Sequence, residues 1–557
     1  MLLSPILQSI KEDPKASCLF RLDKDEWTSF SRQDVLDAAF RLCGQWKRDG
    51  LKSGDRILLL MENRPEWAVT AIASGLYGLV LVPAYTTHLP REIEYLLNRS
   101  EAAAVMTSDG ELRARFETLS ISASLHLYFA TNDEPLLFGN IVGGPYQLRS
   151  EDLLENDRLY ALIATSGTNG LPKLVELTHQ NLMSNVTGIL TILREAHIDQ
   201  PHRFLSFLPL AHAYEHMAGL YLPLHLRGEI FYCERLDKLA NFMAEIKPTL
   251  MTAVPRLYEL LYGRITAQVA KGSAFKQWLF ETTLRLGNVP QLKPLDRILN
   301  TICERLVREK VRQRFGGRLQ YFVSGGAALN PEISRFFSGL GIGILQGYGQ
   351  TEASPVISVN RPGSARAETV GPALPHVQVK LSEEGELLVR GPNVMRGYWR
   401  DQEATSRVLR DGWLHTGDLA DIDPDGHIRI VGRLKDLIVN SGGDNIAPAP
   451  IEQEITLYPE VDQIVVVGDA KPWLSALICL NSEFENQDSQ ALVYEILKRY
   501  NRHKPSLVQL RKAIVMDEPC SIDNGLLTPT QKIKRPKLIA LYREAIDALY
   551  GPMASSK

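Results

Sequence analysis

The sequence predicts an α/β fold, with a large N-terminal domain of parallel βαβ sheets plus a small β-rich subdomain, followed by a small α+β C-terminal domain. Three observations carry this. From about Ile57 to Thr351, short β-like runs alternate with amphipathic helical stretches, the pattern of βαβ units in mostly parallel sheets. From about Val377 to Val431 the pattern changes to strands separated by turns such as Glu383-Glu384-Gly385 and Asp423-Pro424-Asp425-Gly426. After Arg433 helical and strand patterns mix again, and 557 residues exceed one ordinary core.

The elements follow in order. Ile57-Leu58-Leu59-Leu60-Met61 is an apolar run of strand length, 66–79 reads as a helix, Val80-Leu81-Val82 as a strand and 90–97 as a helix opening on Pro90. Leu159-Tyr160-Ala161-Leu162-Ile163-Ala164 reads as a strand, and Leu174-Val175-Glu176-Leu177 as a strand returning from the loop between them. Toward the C-terminus a helix is expected near 450–457, a strand over 463–467, and helices near 490–500 and 535–550. No repeat, low-complexity tract or conspicuous linker interrupts the chain.

Composition narrows the function classes. With 45% hydrophobic and 23% charged residues the chain is an ordinary globular protein. A net charge of −3 gives no overall basic field, so no nucleic acid partner is expected. Cys18, Cys43, Cys233, Cys303, Cys479 and Cys520 form no CxxC pair, which points to a reducing compartment and away from structural zinc. The apolar run Met1-Leu2-Leu3-Ser4-Pro5-Ile6-Leu7 is too short for a signal peptide, and no run reaches the ~18 apolar residues of a membrane-crossing helix. The expected placement is cytoplasmic, with peripheral membrane contact the further option. The basic segment Arg305-Leu306-Val307-Arg308-Glu309-Lys310-Val311-Arg312 could rest on anionic lipid, although a solvated surface helix is the plainer reading.

The chemistry concentrates in the loop Thr165-Ser166-Gly167-Thr168-Asn169-Gly170-Leu171-Pro172-Lys173. Three hydroxyls, two glycines and a lysine offer O–H donors, unobstructed backbone N–H donors and one mobile cation, a set suited to a polyphosphate. It is not a Walker A loop, because Leu171-Pro172 precede the lysine and a strand follows it. Alone, such a cluster is commonly a surface turn. Five further segments accompany it: Gly347-Tyr348-Gly349-Gln350-Thr351-Glu352, Gly385-Glu386-Leu387-Leu388-Val389-Arg390-Gly391, Trp413-Leu414-His415-Thr416-Gly417-Asp418, Gly432-Arg433-Leu434-Lys435-Asp436 and Thr528-Pro529-Thr530-Gln531-Lys532-Ile533-Lys534-Arg535. In this order they resemble the adenylate-forming (AMP-binding) superfamily, and specifically the AMP-forming long-chain fatty acyl-CoA synthetases. The resemblance runs from about Gly54 to Arg535.

The resemblance implies an N-terminal AMP-binding domain of residues 1–432 and a mobile C-terminal domain of residues 433–557. It implies ATP-dependent conversion of a fatty acid to acyl-AMP with release of pyrophosphate, then transfer to the CoA thiol. Thr165, Ser166, Gly167, Thr168 and Lys173 would hold the phosphates, Glu352 would hold Mg²⁺ and Thr351 would reach the α-phosphate. Tyr348, between Gly347 and Gly349, would stack on adenine, whose edge is read by the loop Gly325-Gly326-Ala327-Ala328. Asp418 and Arg433 would hold the ribose, and Lys532 would bridge the reacting carboxylate and the α-phosphate. Lys435 matches the hinge, and Ser441, Gly442 and Gly443 match the loop that faces CoA. Each has a plainer alternative: an exposed acid for Glu352, a core tyrosine for Tyr348, a solvated basic run for Lys532.

Two other patterns compete. His212-Ala213-Tyr214-Glu215-His216 fits the inverted zinc-protease motif H-x-x-E-H, but lies in Leu208-Pro209-Leu210-Ala211-His212. That stretch resembles the synthetase segment whose histidine or aromatic flanks the substrate carboxylate, so His212 is assigned there and His216 to the core. Asp421-Ile422-Asp423-Pro424-Asp425-Gly426 opens like a calcium loop, yet Gly432 occupies the twelfth position, where a glutamate belongs; a hairpin turn is expected.

Val254-Pro255-Arg256-Leu257-Tyr258-Glu259 resembles the long-chain branch, which makes a medium- to long-chain fatty acid the expected substrate. Three positions depart from the family pattern: Asn169 stands for a threonine but can still donate to a phosphate, Leu174 stands for a glycine and brings a side chain that could change the packing of the loop, and Gln531 stands for the glycine before the lysine. Two alternatives follow, an acyl-AMP ligase loading an acyl carrier protein and a catalytically weak acyl- or nucleotide-binding relative. Retention of Glu352, Asp418, Arg433 and Lys532 argues for a working enzyme.

Overall fold

A computed structural model describes residues 2–117, 119, 125–131, 137–141, 143, 146, 147, 157–165, 172–198, 201–233, 238–289, 291–484, 487–528 and 532–551. The chain divides into two compact units, one of residues 1–380, 388–416 and 422–428 and one of residues 381–387, 417–421 and 429–557. The second unit takes in residues 381–387 and 417–421 of the β-rich segment.

The larger unit is built on two sheets. Among the described residues one has eight strands in the order Val356–Val359, Gly343–Gly349, Tyr321–Ser324, Leu250–Ala253, Arg203–Ser206, Glu229–Tyr232, Ser17–Asp23 and Glu26–Ser31. Every pairing is parallel except at its two edges. The other has seven, in the order Gly397–Tyr398, Lys173–Thr178, Leu159–Thr165, Val80–Ala84, Arg56–Leu60, Ala102–Ser108 and His126–Ala130. The expected strand at 57–61 is thus Arg56–Leu60, where Ile57, Leu58, Leu59 and Leu60 are all fully buried.

The helix Pro65–Tyr77 touches strands of both sheets, and its residues 65–76 are all buried. A helix apolar on every side belongs between two layers, whereas an amphipathic one covers a single face. Pro65 opens it, and Gly78 closes it at φ +93°, a left-handed cap that only glycine takes without strain. Two longer helices start on capping boxes: Arg32–Arg48 at Ser31 with Asp34, and His179–Glu195 at Thr178 with Asn181.

The smaller unit centres on a three-stranded sheet of Val461–Val467, Leu474–Leu480 and Leu510–Val515, with the helices Pro448–Ile455 and Ser489–Asn501. Its apolar core joins Ile451, Ile455, Ile464, Ile478, Val493 and Ile496. The single helix expected over 535–550 is two, Arg535–Leu541 and Arg543–Leu549. They part at Tyr542, whose hydroxyl takes the Asp517 N–H at 3.3 Å while its ring packs beside Leu538 and Ile546.

The basic segment at 305–312 also differs from a plain helix. It runs as a π-helical turn Glu304–Arg308 into the helix Glu309–Arg314. Arg308 is buried and donates to the carbonyls of Gly339 (2.8 Å) and Thr283 (2.9 Å), whereas Arg312 pairs with Glu304 at partial exposure. Among the described residues no helix is long and apolar enough to cross a membrane.

Candidate active site

Parallel strands all point their carboxyl ends the same way, which places the loops that follow them along one edge of the sheet. In the eight-stranded sheet Arg203–Ser206 leads to His212, Tyr321–Ser324 to Gly325, and Gly343–Gly349 to Thr351 and Glu352. The last two strands are direct neighbours, with Ser324 opposite Gln346, so Gly326, Ala327 and Ala328 lie next to Gly347, Tyr348 and Gly349. The adenine candidates therefore come together. Gly326 has φ +84°, and a Cβ on Gly349 would overlap the Pro355 carbonyl. Tyr348 is half-buried.

The phosphate loop emerges from a hairpin of the other sheet. Leu159–Thr165 and Lys173–Thr178 pair antiparallel with Thr165 opposite Lys173, so the two described ends of the loop face each other. Ser166, Gly167, Thr168 and Asn169 lie outside the described residues. Leu174, which stands where the family pattern has a glycine, is 1% exposed and packs with Leu58, Val82 and Leu162. Side chains alternate along a strand, so when Lys173 faces one side Leu174 faces the core.

Sequence reasoning missed Tyr398, which lies on the short strand Gly397–Tyr398, paired with Lys173–Thr178. Its hydroxyl donates to Glu352 Oε1 at 2.7 Å, and Lys173 Nζ sits 4.7 Å from its ring centroid. One buried tyrosine thus joins the candidate metal carboxylate to the candidate phosphate cation. Thr351 and Glu352 share a 3₁₀ turn, pinned where the Glu352 carbonyl accepts the Met395 N–H at 2.9 Å.

His212 caps the short helix Ala213–Glu215, its Nδ1 accepting the Tyr214 N–H at 3.2 Å. In the neutral ring that bond leaves the proton on Nε2, a donor. Asn63, also missed, holds this turn by accepting the Leu210 N–H at 3.0 Å and donating to the Leu208 carbonyl at 2.6 Å. Glu215 is fully buried and accepts hydrogen bonds from Ser206 (2.6 Å) and Thr252 (2.8 Å); burial pushes its carboxyl up to about 7. His216 is fully buried edge-on to Trp67, and burial lowers its ring to about 4. The His212-to-His216 segment is thus divided between a cap and the core.

In the smaller unit, Arg433 Nε donates to Asp418 Oδ1 at 2.7 Å, joining the ribose candidates. Asp418 is 5% exposed, so its carboxylate is fixed in place. Lys532 follows directly on residues 529–531, which lie outside the described residues, Gln531 among them; its N–H donates to Thr528 Oγ1 at 3.0 Å. The residue keeps solvent access, yet its ammonium is held below the ordinary lysine range, first by desolvation and then by the Arg433 charge, with Asp418 opposing. Lys532, Asp418 and Arg433 therefore feel one another. Lys435 is exposed in the 3₁₀ turn Leu434–Asp436. Ser441, Gly442 and Gly443 are exposed in the tip between Ile438–Val439 and Asn445–Ile446, where Asn440 Oδ1 accepts the N–H of Gly442 and of Asp444, both at 2.9 Å. The calcium-like sequence at 421–426 turns between strands, with Arg366 bridging Asp423 and Asp425.

Comparison with known proteins places this geometry. The AMP-binding enzyme family model matches residues 7–399, and that of the AMP-binding enzyme C-terminal domain matches residues 435–554. The long-chain-fatty-acid–CoA ligase FadD15 of Mycobacterium bovis is 31% identical over 98% of this chain and 96% of its own. Long chain acyl-CoA synthetase 7, peroxisomal, of Arabidopsis thaliana is 32% identical over 91% of this chain and 79% of its own. Among solved structures, ATP-bound MatB from Rhodopseudomonas palustris superposes with a TM-score of 0.75 at 24% identity, covering 98% of this chain and 100% of its own. The o-succinylbenzoate CoA synthetase MenE of Bacillus subtilis, with its acyl-adenylate intermediate, gives 0.73 at 20%, covering 96% and 97%. At these identities the structures speak for the fold.

Proposed function

This chain belongs to the AMP-binding enzyme family, and from that premise we propose that it is an AMP-forming acyl-CoA ligase acting on medium- to long-chain fatty acids. A carboxylate is already ionised at neutral pH, so its activation needs charge neutralisation and alignment rather than a general base. In the first half-reaction the acid's oxygen attacks the α-phosphorus of ATP; the new O–P bond forms as the bond to pyrophosphate breaks. Lys173 and Thr165 hold the outer phosphates, Thr351 the α-phosphate, and the His212 Nε2–H orients the attacking carboxylate. Asp418 and Arg433 fix the ribose while Lys532 offsets the charge gathering between carboxylate and phosphorus.

Glu352 fits a hard cation, since the Tyr398 hydroxyl takes one of its several acceptor positions and leaves others for a metal. Mg²⁺ held there by Glu352 would supply charge neutralisation on the phosphates. In the second half-reaction the thiol sulfur of CoA attacks the acyl carbon, AMP leaves and the thiol proton passes to solvent. Residues 433–557 act as the mobile domain to residues 1–432, turning at Lys435 so that Ser441, Gly442 and Gly443 admit the pantetheine.

The single observation that carries this reading is the Lys173–Tyr398–Glu352 linkage, which couples a phosphate cation to a metal-competent carboxylate. Pyrophosphate release from Mg-ATP, measured with a panel of fatty acids with and without CoA, tests it. Release is expected to require the acid, to yield acyl-CoA, and to collapse in Lys532→Ala. Release with no acid dependence, or an undiminished Lys532→Ala rate, would refute it.

A further inference from the structure

The helix pair Ala274–Gly287 and Pro294–Cys303, continued through the π-helical turn to Arg314, is apolar on two sides. Its inward side packs Leu279, Leu286 and Cys303 against Leu299 and Val307. A second stripe faces outward: Leu295 is 82% exposed, Ile298 64%, Ile302 44% and Leu306 45%. Spacings of three and four place these four on one helical face. On the neighbouring helix Phe275 (64%) and Trp278 (49%) are also exposed, with ring centroids 5.8 Å apart. An aliphatic stripe of this length is unusual on a solvated surface.

Charge identifies what covers it. Residues 271–318 carry eleven Lys and Arg against four Asp and Glu, a local +7 in a chain whose net charge is −3. Arg308 is buried and Arg312 is paired with Glu304, but Lys293, Arg297, Arg305 and Lys310 are exposed on or just before the same helix. A second copy of this surface would set like charge against like, which disfavours a symmetric self-contact. A polynucleotide would meet the cations but leave the aliphatic side chains without partners.

We propose that this face docks on an anionic lipid bilayer. Leu295, Ile298, Ile302 and Leu306 enter the boundary between headgroups and acyl chains, and the flanking cations meet lipid phosphates, the division of labour of an interfacial amphipathic helix. The inference goes beyond the proposed reaction and is independent of it, since docking needs neither ATP nor CoA. A fatty acid partitions into bilayers, so a docked enzyme would sit where such a substrate is concentrated.

Flotation of the full chain with vesicles of phosphatidylcholine, with and without about 30% phosphatidylglycerol, tests the proposal. Wild type should float with the anionic vesicles at low salt and weakly with the neutral ones. Ile298→Glu/Ile302→Glu and Arg297→Glu/Arg305→Glu should each reduce flotation about tenfold. Both pairs lie on the surface, so circular dichroism and pyrophosphate release with a short soluble acid should be unchanged. Equal flotation of all three proteins, or none by wild type, would overturn the proposal. So would a wild-type dimer in light scattering that the isoleucine pair alone makes monomeric, which would assign the face to a second copy.

Discussion

The two units hold their candidate residues by different means. In the larger one, Gly326, Tyr348, Gly349 and Glu352 stand at the ends of neighbouring buried strands, and Tyr398 ties Glu352 to the edge of the other sheet. In the smaller one, Lys532 and Gly443 stand on exposed turns held by short-range hydrogen bonds such as Lys532 N–H to Thr528 and Gly442 N–H to Asn440. Parts that must stay aligned through a reaction sit on the rigid frame. Parts assigned to only one half-reaction sit on exposed turns, the arrangement that the proposed mobile domain would use.

That contrast can be broken most directly at two glycines. Gly349→Ala drives a Cβ into the Pro355 carbonyl, so a loss of about 2–4 kcal/mol of stability, read as a lower unfolding midpoint, is expected. Gly443→Ala has open space and only the φ of +87° against it, so about 1 kcal/mol is expected. Equal losses would remove the distinction between frame and turn.

Tyr398→Phe sharpens it within the frame. The ring under Lys173 is kept and the bond to Glu352 is lost, so kcat should fall about tenfold with a higher Mg²⁺ requirement. The unfolding midpoint should barely move. An unchanged Mg²⁺ dependence would reduce the tyrosine to a packing residue.

Within the frame, Glu215 gives the same contrast a pH dependence. Its folded carboxyl titrates near 7 against an ordinary 4.5, so over that interval the folded chain holds a proton that the unfolded chain has released. Stability from this group is therefore full below about 4.5 and falls as pH rises toward 7, by on the order of 3 kcal/mol. Glu215→Gln should flatten that slope in thermal unfolding across the same range; a slope unchanged in the variant would contradict it.

Much of this was legible from local pattern. The run Ile57-Leu58-Leu59-Leu60 is a buried strand because nothing in it tolerates water, and the hairpin around the phosphate loop follows from two apolar runs with turn residues between them. The place of Leu174 was legible as well, since alternation along the strand read over 174–177 turns its side chain into the core. Tyr398 was missed because it meets Glu352 across 46 positions of sequence, a contact no local period encodes. Glu215 did leave a signal: a lone acid in the apolar stretch between Ala213 and Leu224 marks a buried carboxyl. The break at Tyr542 left none, since it depends on a hydroxyl reaching Asp517.

The account rests on Lys532 serving only the first half-reaction. The most direct test measures the halves separately in Lys532→Ala: acid-dependent exchange of labelled pyrophosphate into ATP, and acyl-CoA formation from supplied acyl-AMP and CoA. The account predicts that exchange falls about a hundredfold or more while thioester formation stays within about twofold of wild type. Equal loss of both, or exchange at the wild-type rate, would contradict it.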